Sequence, residues 1–107
     1  MPTTITREEL KARLDRGDDL VLIDVLSRDS YARRHVPGAI NIPLSTLDAA
    51  TTRPLSKDKE VIVCCASFEC QASAVAAQRL EEWGFKRVLE FAGGLADWED
   101  AGYPFEP

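Results

Sequence analysis

Two short uninterrupted apolar runs, Leu20-Val21-Leu22-Ile23 and Val61-Ile62-Val63-Cys64, constrain the fold of this chain more than any other feature. A strand with one wet face alternates polar and apolar residues, whereas a strand covered on both faces reads as a continuous run. Asp24 closes the first run, and Val88-Leu89-Glu90-Phe91 repeats the pattern more weakly. Helical segments separate the runs. Thr6-Arg7-Glu8-Glu9 is a capping box that opens a helix of about ten residues, with Leu10 and Leu14 on one face and Gly17 at its end. Further helices are expected over 29–34, 45–50 and 71–83. In the last, Ala72, Ala76, Leu80 and Trp83 share a face whose small residues allow close approach to a sheet, and Gly84 stops it. Buried strands alternating with helices predict an α/β three-layer sandwich. Its central sheet is mostly parallel, of four to five short strands, with helices on both faces.

At 107 residues the chain has the length of a single domain, expected to span residues 1–107. With 45% hydrophobic and 29% charged residues it can bury a core without a metal or disulfide staple. A net charge of −5 repels phosphate backbones and leaves no basic patch, which argues against a nucleic-acid partner. The apolar runs are far shorter than the ~20 residues of a membrane span. The N-terminus lacks a basic region followed by an apolar one, so the cytoplasm is the expected compartment. Three cysteines, an odd number with Cys64 and Cys65 adjacent, do not form a secreted disulfide framework. They read as reduced thiols.

In open α/β sheets ligands bind beyond the carboxyl ends of the strands. The loop after the second run, Cys65-Ala66-Ser67-Phe68-Glu69-Cys70-Gln71, therefore carries the chemistry. It leaves a buried strand and enters a helix, where backbone N–H groups converge and favour an anion. A thiol placed there has its pKa lowered from ~8.5 towards ~3.5–7.5, which makes it a nucleophile. Side chains alternate along a strand, so Cys64 and Cys65 point opposite ways; Cys64 is assigned to the core and Cys65 to catalysis. Cys70 is a resolving thiol, a second sulfur carrier or a helix-start residue. Ala66, Ser67, Phe68, Glu69 and Gln71 are expected to line the substrate. His35, the only histidine, and Asp24 are expected to be structural. So are Trp83 and Trp98, and Gly93-Gly94 are read as turn residues. No metal ligands at the usual spacing and no cofactor motif are present in the sequence.

The ordered motifs resemble the rhodanese homology domain. Ile23-Asp24-Val25, Tyr31 and the run from His35-Val36-Pro37-Gly38 to Pro43 match its first half. Val61 to Cys65, Trp83-Gly84-Phe85, Val88, Gly93-Gly94-Leu95-Ala96-Asp97-Trp98 and Ala101-Gly102-Tyr103-Pro104 match its second half. The resemblance implies a sulfurtransferase: the loop cysteine takes sulfane sulfur from a small donor as a persulfide and passes it to a thiol, cyanide or protein acceptor. In active members of the family the loop is typically a cysteine, four variable residues and an arginine, then a serine at the helix start. Counting forward from the strand puts Cys65 on the nucleophile, while counting back from Gly84 puts Ser73 on the serine, so the loop is about two residues longer than usual. Cys70 stands where the arginine would fall. The arginine that often follows Asp-Val is Leu26, and the glutamate before the helix aromatic is Ser30; Arg28 is the nearest candidate to compensate.

Two other classes fit the same loop. One is a non-catalytic interaction module that keeps the fold without the arginine. The other is a dithiol redox or arsenate-reducing protein using Cys65 with Cys70. A cysteine phosphatase of the related fold does not fit, because Gln71 and Ala76 occupy the arginine spacing after Cys65 and Cys70.

Overall fold

Side-chain alternation along adjacent strands divides the core into two halves. In the computed structural model, which describes residues 3–107, the chain runs through β1 (Thr3–Thr4), α1 (Arg7–Arg16), β2 (Leu20–Asp24), α2 (Arg28–Arg33), β3 (Ile40–Asn41), β4 (Glu60–Cys64), α3 (Ala72–Glu82), β5 (Arg87–Phe91) and α4 (Gly94–Asp100). The five strands form one sheet in the order β1-β5-β4-β2-β3, every neighbouring pair parallel. The two apolar runs lie side by side, in register from Leu20 opposite Glu60 to Asp24 opposite Cys64. Ile23, Val61, Val63 and Val88 pack with Ala76, Ala77 and Leu80 of α3. Leu22, Ile62, Cys64 and Phe91 pack on the opposite face with Leu10 of α1 and Leu95 and Trp98 of α4. The three-layer sandwich read from the runs is the architecture observed.

Local signals set the element ends. Thr6 Oγ1 accepts from Glu9 N–H at 3.2 Å to open α1, and Gly17, at φ 72°, returns its N–H to the Arg13 and Leu14 carbonyls. The helix expected over 45–50 is instead one 3-10 turn at Leu44–Thr46. Asp48 and Thr51 explain the difference. Thr51 N–H donates to Asp48 Oδ1 at 2.8 Å and Asp48 N–H to Thr51 Oγ1 at 2.9 Å, a local bonding pattern that competes with helical propagation. No helix among the described residues is long and apolar enough to cross a membrane.

Gly93 and Gly94 are not a plain turn, since α4 starts on them. Gly94 adopts φ +62°, and a Cβ there would be driven into the Cys65 carbonyl oxygen and the Ala66 backbone. The close approach lets α4 hold the loop: Leu95 N–H donates to the Cys65 carbonyl at 3.0 Å and Ala96 N–H to that of Ala66 at 2.9 Å. Gly94→Ala adds left-handed strain to a backbone clash, each costing about 1–3 kcal/mol. The expected loss of about 2–4 kcal/mol appears in thermal unfolding as a Tm drop of more than about 10 °C. A drop below about 3 °C would show that loop and helix separate freely at this point.

Candidate active site

β4 ends at Cys64, and the next seven residues cross the carboxyl edge of the sheet to reach α3. The adjacent cysteines part as alternation requires. Cys64 lies in the cluster of α1 and α4, where burial pushes its thiol far up. Cys65 joins the cluster under α3 and is fully buried at the foot of the loop.

Cys65 Sγ lies 3.3 Å from Ser73 Oγ and 3.4 Å from the Cys70 carbonyl oxygen. Cys70, only partly buried, lies close enough that each thiol shifts the other's ionisation. The loop amides fall differently from the sequence expectation. Ala66 and Ala72 direct their N–H groups at Cys70, and Cys65 receives only that of Ser73. Burial pushes the Cys65 thiol up, the neighbouring Cys70 adds to this, and Ser73 offsets it only in part. Burial pushes Cys70 up as well, but Cys65 and the amides of Ala66 and Ala72 outweigh it and leave Cys70 below its ordinary value. Cys70 is thus the thiol that ionises more readily.

Among the expected lining residues, Ala66, Glu69 and Gln71 are exposed and Ser67 is half-buried. Glu69 N–H is taken by Ser67 Oγ and Cys70 N–H by the Ser67 carbonyl, so these amides close the loop on itself. Phe68 stands 72% exposed at the loop tip, beside a cleft it shares with Arg7, Gly93 and Asp97. Arg28 lines a different cleft, with Asn41 and Thr46. Arg33 and Arg34 line a cleft of about 350 Å3 with Ser30 and Ala66, which places positive charge beside the residue that follows Cys65. His35 meets no thiol. Its ring stacks on Tyr31 at 3.7 Å, Nδ1 lies 2.8 Å from the Tyr31 carbonyl, and its backbone pairs with Glu106. Asp24 is buried with Oδ1 accepting from Leu26 N–H at 2.9 Å and Oδ2 unpartnered, and burial raises its carboxyl.

Sequence reasoning missed Glu90. This β5 residue is 8% exposed and accepts from Ser73 Oγ at 2.7 Å, so Cys65, Ser73 and Glu90 form a continuous buried chain. The signal available was a lone carboxylate inside an apolar run, on the alternation face of Val88.

The family model for the rhodanese-like domain matches residues 6–101. The chain belongs to that family. This rhodanese-like domain is 30% identical over 94 residues to YrkF of Bacillus subtilis, covering 88% of this chain and 49% of that protein. It thus spans about half the length of that relative. It is 33% identical over 81 residues to the thiosulfate sulfurtransferase GlpE of Coxiella burnetii, covering 76% of this chain and 73% of that protein. The BH2092 protein of Bacillus halodurans superposes on it with a TM-score of 0.92 at 30% identity, over 97% of this chain and 76% of that one. The rhodanese-like fold thus carries a loop in which a second thiol, and no cation, sits beside the strand-end cysteine.

Proposed function

We propose that this domain is a sulfurtransferase in which Cys65 takes up sulfane sulfur as a persulfide and passes it to a thiol, cyanide or protein acceptor, with Cys70 as its partner thiol. The observation that carries this reading is the placement of Cys65, its Sγ 3.4 Å from the Cys70 carbonyl oxygen and 3.3 Å from Ser73 Oγ, between the carboxyl edge of a parallel sheet and the N-terminus of α3. Cys65 attacks the outer sulfur of the donor, an S–S bond forms on its Sγ, and the remainder of the donor leaves with the electron pair of the broken bond. A relative named as a thiosulfate sulfurtransferase supports the reaction class. Intact mass after incubation with polysulfide tests it. A gain of one sulfur atom, removed by a reductant and mapped to Cys65, is the expected result. No gain with any sulfane donor would leave a non-catalytic module.

Thiosulfate itself is expected to be a poor donor. The loop contributes Glu69 and no cation, so a dianion meets negative charge before chemistry begins. In the thiosulfate and cyanide assay KM should lie in the millimolar range or above. Glu69→Arg should lower it about fivefold at low salt, the value of about 1 kcal/mol at a solvated site, and the gain should fade as salt rises. Saturation of the unmodified protein at micromolar thiosulfate would remove the charge argument.

A further inference from the structure

The reaction above asks a fully buried thiol, held above its ordinary pKa, to act as a nucleophile. Its proton needs an acceptor. Ser73 Oγ lies within reach at 3.3 Å and donates its own hydroxyl to Glu90 Oε2 at 2.7 Å, with the neighbouring Cys70 thiol as the alternative base. Glu90 is held in the sheet between Val63 of β4 and Thr4 of β1, with Ser73 of α3 above it and Cys70 of the loop as its further charged neighbour. It takes part in no ion pair among the described residues, and the Ser73 hydroxyl is the side-chain partner of this buried carboxylate.

We propose that Glu90 is a positioning residue that takes up the Cys65 proton through Ser73 as sulfur is transferred. The Cys65 S–H bond breaks and its proton passes to Ser73 Oγ, while the Ser73 hydroxyl proton passes to Glu90 Oε2. The electron pair left on Cys65 forms the new S–S bond, and the donor's thiolate departs with the pair of the bond that breaks. Glu90 gives up its negative charge as it takes the proton, and the departing donor thiolate carries an equal charge away. Charge is moved and none is created, which in a buried site costs far less than ionising a second group beside a carboxylate. Once Glu90 holds the proton, it donates back to Ser73 and the Ser73 hydroxyl turns towards the sulfur.

This inference rests on the proposed function only in taking Cys65 as the reacting thiol. Its test needs no sulfur donor, so a protein that alkylates as described and never gains sulfur fails the proposed function alone. The full chain carrying Cys70→Ser, which removes the competing thiol and the alternative base, is treated with iodoacetamide from about pH 6 to about pH 8, and modification of Cys65 is followed by peptide mass spectrometry. With the relay intact the rate is expected to be nearly flat over this range. Adding Glu90→Gln or Ser73→Ala should slow the reaction at least tenfold at about pH 6 and make it climb roughly tenfold per pH unit, as for a thiol that must first ionise into water. Adding Glu90→Asp should restore the flat profile at a lower rate. Parallel profiles in all four proteins would reduce Glu90 to a structural role. A Glu90→Gln protein faster at every pH would show simple charge repulsion, and a climbing profile with Glu90 and Ser73 intact would show that Cys70 had been the base. A Cys65 unmodified throughout in every protein would equally overturn the proposal.

Discussion

Cys65→Ser is expected to abolish persulfide loading, with sulfur uptake from polysulfide falling more than about a hundredfold as read by intact mass. Serine keeps the hydrogen-bonding geometry to Ser73, but its oxygen does not form a stable bond to sulfane sulfur, so chemistry is lost with little change of shape. Cys64→Ser is the control supplied by strand alternation. That thiol lies on the other face of the sheet in the cluster of Leu10, Leu95 and Trp98, and a hydroxyl placed there enters an apolar site at a cost of about 1–3 kcal/mol. Cys64→Ser should therefore lower Tm and still load sulfur, whereas Cys65→Ser should leave Tm nearly unchanged and lose loading. Full loading of Cys65→Ser, with the added sulfur mapped to Cys70, would move the carrier role to the more exposed thiol.

Strand burial makes the fold legible in the sequence. Runs such as Val61 to Cys64 are informative because both faces of a parallel sheet are covered, and the capping box at Thr6 and the glycine at 17 mark helix ends through bonds local in sequence. The short strands Thr3–Thr4 and Ile40–Asn41 were not legible, since two residues carry no periodicity and their pairing is decided by neighbours far along the chain. The misread helix at 45–50 has the same origin at shorter range. Asp48 and Thr51 bond each other's backbone, a choice that helical spacing does not reveal.

The candidate site divides along the same line. Alternation at the strand end separated Cys65 from Cys64, and loop position picked out Cys70. What sequence spacing could not supply was the direction of the amides, because a seven-residue loop curls in three dimensions. The expectation of a lowered Cys65 pKa thus gave way to a lowered Cys70. Glu90 was hidden for a different reason. It sits in a strand whose pairing with Val63 brings it to Ser73, 17 residues away in sequence, and only the assembled sheet shows that the three groups meet.

Cys70→Ser is expected to lengthen the lifetime of the Cys65 persulfide at least tenfold. In the unmodified protein the thiolate of Cys70, which neighbours Cys65, is expected to attack the inner sulfur of the persulfide. A Cys65–Cys70 disulfide forms and the outer sulfur leaves as hydrosulfide with the pair of the broken bond, so oxidation of the two thiols is balanced by reduction of sulfane sulfur to sulfide. An external thiol then resets the pair. Because hydrogen bonds hold Cys70 below its ordinary value, its reactive form accumulates early as pH rises. Decay of the persulfide should accelerate with pH and level off at a lower pH than it would for an ordinary thiol. Sulfide release and peptide mapping check both halves, with sulfide and disulfide appearing together in the unmodified protein and neither in Cys70→Ser. Identical persulfide decay in the two proteins, without a disulfide, would show that Cys70 shapes the loop and takes no part in the chemistry.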